Sequence, residues 1–358
     1  MDPAAILDLL RRNSAEVVTE PELEKLAADL AARTVRKGYI GFEPSGRVHL
    51  GWKITADKVT DLVEAGLHVK VLLADWHAQI NDKLDGDLQK IKACGEYMKH
   101  CFTALGVPTD KIEFLYASDY VDDPAYWALV IGAAKATSLA RMKRAMDILG
   151  RSAEEAERDM SKFIYPAMQV ADIFHFGLDL AYGGLDQRHA HMLARDVAHK
   201  LGRKAPVALH TPLLPSLQAQ GRMDPIEAKM SKSNPGSGLL IHDDAKLVEQ
   251  KINAAVCPQG TAEGNPVLDL ARLVVFAGHL ERDPTEAFVV DRPEKFGGRA
   301  TYATYPDLQA AFVAGKLHPA DLKKGVAHYV NEVLDPVRDY FRRHPGPLAS
   351  MQEITTTR

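Results

Sequence analysis

Residues 39–52, which read YIGFEPSGRVHLGW, decide the fold of this chain. Tyr39–Phe42 predicts a short buried strand, and the turn at 43–46 leads into a helical pattern over about residues 50–65. A strand, a turn and a helix start place backbone N–H groups and a positive dipole end at the strand's carboxyl end. This geometry suits an anionic phosphate. The segment matches neither a Walker A loop nor a GxGxxG fingerprint, so an ordinary turn stays an alternative.

Strand and helix patterns alternate on both sides of this segment. Further strand patterns lie at 69–74, 112–116 and 207–210, and helical patterns at 88–105, 124–149, 153–162, from about Pro166, and at 186–202. Such alternation predicts a parallel sheet with crossover helices. We therefore predict an α/β fold, with a Rossmann-like parallel-sheet domain over residues 1–235 and a mainly helical domain over residues 236–358.

Composition excludes several classes of protein. The 358 residues include 44 Lys+Arg against 48 Asp+Glu, and a net charge of −4 argues against a chain that coats nucleic acid through bulk charge. No apolar run reaches the roughly 18 residues of a membrane helix, and the first residues lack the basic and apolar segments of a secretion signal. The three cysteines form no CxxC motif, which favours a reducing cytoplasm and predicts no structural metal.

A second chemical segment lies in the long Gly- and Pro-rich stretch 213–238, which is either functional or disordered. Residues 229–234 read KMSKSN, so Lys229 and Lys232 flank a methionine and a serine. Two lysines on a mobile loop can close over a polyphosphate and neutralise the charge that develops during transfer. For an isolated KxxK pattern, a solvated surface loop is the more common explanation.

The two segments together resemble the paired signature of the class I aminoacyl-tRNA synthetases. More specifically, the chain resembles the tyrosyl-tRNA synthetases of archaeal and eukaryotic type. The resemblance extends in order over nearly the whole chain, and it is carried by residues 39–46, 165–172, 183–188, 292–298 and 317–323. It implies a catalytic domain followed by an anticodon-binding domain.

The resemblance implies a pocket for L-tyrosine. In it, Tyr39 and Asp172 hydrogen-bond the phenolic hydroxyl, and Tyr165 and Gln169 hold the ammonium group. Gln187 and Glu43 would lie near the same polar end. The residues alone allow a plainer interpretation: if Pro166 opens a helix, Gln169 and Asp172 share one face of it, and that face could simply be solvated.

For ATP, the resemblance implies contacts from both chemical segments and from the start of the 186–202 helix. The implied residues are His49, Gly51, Trp52, Asp186, Lys229 and Lys232, of which His49 and the two lysines would be catalytic. Mg²⁺ is expected to arrive with the nucleotide. Asp186 could equally be only a helix N-cap. Trp52 departs from the family, which usually has a second histidine there, and an indole N–H cannot carry a full charge.

For tRNA(Tyr), the resemblance assigns Arg188 to the first acceptor base pair. Phe296 would stack on the anticodon and Asp321 would hydrogen-bond to it. A core phenylalanine and a helix-capping aspartate are the alternatives for the last two residues. The family also pairs as homodimers through the catalytic domain.

The implied function is tyrosine–tRNA ligase, which forms tyrosyl-adenylate from L-tyrosine and ATP and transfers the tyrosyl group to the 3′ end of tRNA. Three alternatives stay open. One is a tryptophan-specific synthetase, which shares the architecture, and another is a small-molecule nucleotidyltransferase. The third is a non-catalytic RNA-binding paralogue, which only Trp52 supports.

Overall fold

The computed structural model describes residues 1–150, 159–219, 238–282 and 285–354, and it separates into two compact units. The first comprises Met1–Gly46, Lys58–Thr211 and the C-terminal segment from Pro347. The second comprises Arg47–Asp57 and Pro212–Gly346. The predicted domain boundary at 235/236 and the lysine motif at 229–234 lie outside the described residues, so that boundary stays a prediction.

The first unit carries a six-stranded sheet and most of the helices. Its strands are β1 (Glu16–Val18), β2 (Lys37–Phe42), β3 (His68–Leu73), β4 (Ile112–Tyr116), β5 (Leu180–Gly184) and β6 (Val207–Thr211). The helices up to β6 are α1 (Pro3–Arg11), α2 (Glu20–Ala31), α3 (Trp52–Glu64), α4 (Asp75–Ile80), α5 (Leu88–Ala104), α6 (Pro124–Ala136), α7 (Leu139–Ala145), α8 (Ser161–His175) and α9 (Arg188–Ala198).

The strand order β1-β6-β5-β2-β3-β4 confirms the predicted Rossmann-like sheet. All neighbours are parallel except β1, which pairs antiparallel with β6 at the edge. The chain runs outward from β2 through β3 to β4, then returns to place β5 on the other side of β2. The carboxyl ends of β2 and β5 therefore flank the point where strand order reverses, and open α/β sheets bind ligands at such a point.

Two local predictions were wrong. Pro166 lies inside α8, where it removes one backbone hydrogen bond, and the helix begins five residues earlier at Ser161. The single helix predicted over 124–149 is divided at Ser138, whose side chain caps α7 through the N–H of Arg141. Most of the predicted 153–162 helix falls outside the described residues. The sequence also missed β1 and β5.

A buried lysine of α3 bonds to the C-terminal end of α1. Lys58 is only 1% exposed, and its ammonium donates to the carbonyls of Leu9 and Leu10 at 3.2 and 3.0 Å. Cations are favourable at a helix C-terminus, where carbonyls lack intrahelical partners. Asp61, 3.9 Å away, adds a carboxylate that also pairs with Arg12.

The second unit is mainly helical, as predicted, but it also contains a short antiparallel strand pair. Its helices are α10 (Ala245–Ala254), α11 (Pro266–Leu270), α12 (Tyr305–Val313) and α13 (Pro319–Arg343). The last helix, α14 (Pro345–Glu353), belongs from Pro347 onward to the first unit. The strands β7 (Phe288–Val290) and β8 (Ala300–Tyr302) frame the turn at 291–299. Among the described residues, none of the helices is both long and apolar enough to cross a membrane.

Candidate functional site

A buried carboxylate forms the centre of a cluster of polar side chains beside β2, which we call the pocket. Asp172 on α8 is fully buried, and its Oδ1 accepts hydrogen bonds from the hydroxyls of Tyr120 at 2.7 Å and Tyr126 at 3.0 Å. Tyr39 on β2 is also buried. Its burial, and to a smaller extent the charge of Asp172, raise the pKa of its phenol. Tyr39 therefore stays neutral beside a negative charge.

The second oxygen of Asp172 faces a histidine. His77 Nε2 lies 3.2 Å from Asp172 Oδ2, an ion-pair distance whose angles are not those of a hydrogen bond. Burial opposes the charged imidazole, but the charge of Asp172 prevails and raises the pKa of His77. The Oδ2 atom has no hydrogen-bond partner among the described residues. A buried acceptor without a donor is costly, so this oxygen is suited to a hydroxyl that arrives from outside.

Gln169 places a second acceptor one helical turn away from Asp172. Its amide nitrogen donates to Gln187 Oε1 at 3.1 Å and also reaches the hydroxyl of Tyr39. Its own Oε1 is buried without a hydrogen-bond partner in the part of the chain that the structure describes. The prediction that Gln169 and Asp172 share one helix face is consistent with this placement, although Pro166 does not open the helix.

A further carboxylate, Glu43, lies just after β2. It accepts two hydrogen bonds from the Asn81 amide at 2.9 and 3.1 Å, and Lys83 Nζ lies 3.5 Å away. The hydroxyl of Tyr165 also donates to it, and burial together with this carboxylate raises the pKa of Tyr165. The edge of the His77 ring contacts the Tyr165 ring at a centroid distance of 5.0 Å. The edge-to-face contact of His77 and Tyr165 thus joins the Asp172 and Glu43 groups.

Asp186 and Arg188 follow the carboxyl end of β5. Asp186 lies in the short 3-10 turn 185–187, and the N-cap position of α9 is occupied by Gln187 without a capping bond, so the N-cap interpretation of Asp186 was wrong. Arg188 opens α9 and pairs through Nε with both oxygens of Glu16 at 2.9 and 2.8 Å. His210 on β6 contacts the same carboxylate.

In the second unit, residues 47–52 form a close backbone turn. The N–H of Gly51 donates to His49 Nδ1 at 3.1 Å, and a Cβ at position 51 would lie only 2.8 Å from the imidazole. Glycine is needed here because a side chain would displace His49. Trp52 begins α3 and is almost fully buried. Leu50 and Val48 bond to the backbone of Leu239 and Ile241, the chain just after the lysine motif.

The turn between β7 and β8 presents an exposed aromatic ring. Phe296 is 60% exposed, which excludes a core position, and Lys295 Nζ lies 4.9 Å from the centroid of its ring. Gly297 and Gly298 follow with φ of +97° and +66°, and Arg292 donates to the carbonyl of Gly298. The same guanidinium donates to the carbonyl of Lys316, near the start of α13.

Asp321 lies in the first turn of α13, whose cap is His318, so the capping interpretation of Asp321 was wrong as well. Its carboxylate remains favourable there because it faces the positive end of the helix dipole.

Sequence reasoning missed several residues of the pocket. His77, Tyr120, Tyr126 and Asn81 belong to no spacing pattern that links them to Asp172. His77 and Tyr120 had a usable signal, because each lies four residues after the carboxyl end of a strand, β3 and β4 respectively. Among the described residues, no group of three or more His, Cys, Asp or Glu side chains could hold a metal ion.

Comparison with known proteins gives consistent matches over nearly the full chain. Residues 32–335 match the family model described as tRNA synthetases class I (W and Y). The chain is 49% identical over 339 residues to a tyrosine–tRNA ligase of Sulfurisphaera tokodaii, with 93% of this chain and 91% of that protein covered.

Two solved structures are similar throughout. The tyrosyl-tRNA synthetase of Aeropyrum pernix is 44% identical with a TM-score of 0.87, and the alignment covers 99% of both chains. The tyrosyl-tRNA synthetase of Pyrococcus horikoshii, solved with L-tyrosine, is 39% identical with a TM-score of 0.90, covering 99% of this chain and all of that one.

Proposed function

This chain belongs to the class I tRNA synthetases of the tryptophan and tyrosine group, and from its similarity to tyrosine–tRNA ligases we infer that it is a tyrosine–tRNA ligase. The observation that carries the choice of tyrosine is the buried Oδ2 of Asp172, an acceptor with no hydrogen-bond donor among the described residues. A tyrosine hydroxyl would supply the missing donor. An indole N–H sits at a different place on a larger ring, so it fits this pocket less well.

The pocket supports a role for each end of the substrate. Tyr39 and Asp172 would bind the phenolic hydroxyl. A phenylalanine side chain would leave these groups buried and unpaired, so the site would reject it. At the other end, the ammonium group would donate to Gln169 Oε1, with Tyr165, Gln187 and Glu43 around it.

The reaction would proceed in two steps without a protein nucleophile. The tyrosine carboxylate attacks the α-phosphate of ATP, which gives tyrosyl-adenylate and releases pyrophosphate. A ribose hydroxyl at the 3′ end of tRNA then takes the tyrosyl group and releases AMP. Catalysis would come from positioning the reactants and from cationic stabilisation of the phosphates.

We propose that the ATP contacts come from His49, Gly51 and Trp52, from Asp186 at the ribose, and from Lys229 and Lys232. The bare backbone at Gly51 supports a close approach of the base, and the His49 imidazole beside it could contact phosphate oxygens. Mg²⁺ would enter bound to ATP, because phosphate oxygens are the hard ligands that it prefers.

For tRNA(Tyr), Arg188 would read the first acceptor base pair, while Phe296 and Asp321 would grip the anticodon. The exposure of the Phe296 ring supports stacking on an unpaired base. We also propose a cytoplasmic homodimer. Ile131 and Leu139 are exposed apolar side chains on the first unit that such an interface would cover. Sedimentation that shows only a 39.3 kDa species would contradict the dimer.

The direct test is amino-acid-dependent exchange of pyrophosphate into ATP, followed by charging of tRNA(Tyr). We expect exchange with tyrosine and not with tryptophan or phenylalanine. Exchange with tryptophan alone would refute the inference, and absence of exchange with any amino acid would favour a non-catalytic paralogue. Trp52→His, which restores the usual second histidine of the family, should accelerate adenylate formation if the indole limits this step.

A further inference from the structure

Arg188 is held by a residue that the proposed function does not use. Its Nε donates to both oxygens of Glu16 at 2.9 and 2.8 Å, while the side chain stays 43% exposed. Glu16 belongs to β1, the three-residue strand at the edge of the sheet. The two residues are far apart in sequence, so this contact exists only because β1 pairs with β6.

The geometry leaves the recognition end of the arginine available. A guanidinium has five N–H groups, and Glu16 engages only the one on Nε. The two terminal nitrogens have no hydrogen-bond partner among the described residues. These are the atoms that pair with the O6 and N7 acceptors of a guanine edge. Glu16 therefore fixes the plane of the guanidinium without occupying its base-reading edge.

Glu16 is itself held in place by His210 on the neighbouring strand β6. It lies opposite His210 in the β1–β6 register, and His210 Nδ1 is 2.9 Å from Glu16 Oε2. His210 Nε2 is 3.0 Å from His191 Nδ1, and the two buried rings stack at 5.1 Å. Burial lowers the pKa of both imidazoles, so both are neutral.

With both imidazoles neutral, only one assignment of the ring protons satisfies the two hydrogen bonds that link His191, His210 and Glu16. His191 Nδ1–H donates to His210 Nε2, and His210 Nδ1–H donates to Glu16. Glu16 thus stays an acceptor with a fixed orientation. His191 in turn packs against Gly183, where a Cβ would lie 3.2 Å from its ring, near the carboxyl end of β5 that leads to Asp186.

We propose that Glu16 is a positioning residue for tRNA selection, which orients the guanidinium of Arg188 so that its two terminal nitrogens read the first acceptor base pair. This inference rests on the proposed function, and it adds a residue outside every motif that the sequence singled out. The group that Arg188 would recognise is the edge of a purine base with two hydrogen-bond acceptors, as in guanine.

The test compares two matched variants, Glu16→Gln and Glu20→Gln. Glu20 also pairs with an arginine, Arg11, but in an exposed ion pair. Each enzyme is assayed for tyrosine-dependent pyrophosphate exchange and for charging of two transcripts, native tRNA(Tyr) and one with its first acceptor pair inverted. Glu16→Gln should keep exchange within about twofold and lose roughly tenfold of its preference for the native transcript, within the range of one bidentate base contact. Glu20→Gln should change neither.

A double-variant cycle separates positioning from general damage. Arg188→Ala should abolish the preference, and adding Glu16→Gln to it should cause no further loss, because both changes remove one contact. Glu16→Asp, which keeps the charge on a shorter stem, should retain part of the preference and keeps the test available if Glu16→Gln folds poorly. An unchanged preference in Glu16→Gln overturns the inference, and so does a loss that is equal for both transcripts. Absence of tyrosine-dependent exchange in the unaltered enzyme would instead refute the proposed function.

Discussion

The pocket around Asp172 and the turn around Phe296 represent two opposite ways to build a recognition site. In the pocket, the carboxylate is fully buried and surrounded by Tyr120, Tyr126 and His77. In the turn, a single ring is 60% exposed, and Gly297 and Gly298 follow it with positive φ. The first site selects its ligand through buried polar groups that need a hydrogen-bond partner, whereas the second offers a flat apolar surface.

The difference teaches where discrimination comes from. A buried acceptor without its donor is costly because water cannot reach it to supply a hydrogen bond. A ligand that lacks the donor is therefore rejected strongly. An exposed ring gains from stacking but loses little when the partner changes, because every base has a π-face. We therefore expect substitutions in the pocket to act more strongly than substitutions in the turn.

The largest effect should follow from Asp172→Asn. This change replaces an acceptor by an amide in a pocket where Tyr120 and Tyr126 already donate to the same atom. We expect kcat/KM for tyrosine in pyrophosphate exchange to fall roughly 100-fold, which corresponds to about 3 kcal/mol for a charged hydrogen bond lost in a buried site. The preference for tyrosine over phenylalanine should fall with it. Asp196→Asn, which removes an exposed partner of Arg141, is the matched control and should leave both values unchanged.

A smaller effect is expected from Phe296→Ala. Loss of one stacking ring should raise KM for tRNA(Tyr) roughly tenfold in charging assays. Pyrophosphate exchange should not change, because it needs no tRNA. Phe296→Tyr keeps the ring and should behave as the unaltered enzyme does. An equal loss in the alanine and tyrosine variants would show that the ring does not stack on a base.

A smaller effect still should follow from Gly297→Ala, compared with Gly315→Ala. Both glycines have positive φ, +97° and +71°, so each alanine should cost about 1 kcal/mol of stability. A Cβ at 297 would also press on Arg292 at 3.1 Å, whereas position 315 is open. We expect a few-fold rise in KM for tRNA in the first variant alone, with similar losses of thermal stability in both. Equal KM values would show that the turn does not position Phe296.

The smallest effect concerns the pH dependence of stability. The pKa of His77 is raised because the charge of Asp172, with help from Glu43 and Asp75, outweighs burial. A raised pKa contributes stability that is complete below about pH 6.5, the unfolded value, and is lost as pH rises through the folded value. The unfolding free energy of the unaltered protein minus that of His77→Gln, measured in urea, should therefore decrease from pH 6 to pH 9. A difference that stays constant over this range would contradict a charged His77.

Sequence patterns were sufficient to predict the elements that a local run of apolar residues defines. The strands β2, β3, β4 and β6 were predicted within two residues because each is a short apolar run between turns. The strand β5 was missed because Gly183 and Gly184 have low strand propensity, although the strand is buried between two neighbours.

The site was predictable only where one segment carries several of its residues. Gln169 and Asp172 are three apart on one helix, so their shared face followed from spacing even though the helix start was wrong. His77 and Tyr120 reach Asp172 from segments with no fixed spacing to it, and Glu16 reaches Arg188 only through the pairing of an edge strand. Contacts of this kind come from the tertiary fold, which local periodicity does not encode.

The pairing of β2 with β5 has a consequence for synthesis of the chain. Gly38 lies opposite Leu180, so the centre of the sheet joins strands that leave the ribosome far apart in time. Until β5 is available, β2 pairs only with β3 and keeps one edge of backbone N–H and C=O groups unpaired. We expect fragments that end before residue 180 to aggregate, and a shielding chaperone to raise the yield of the nascent chain.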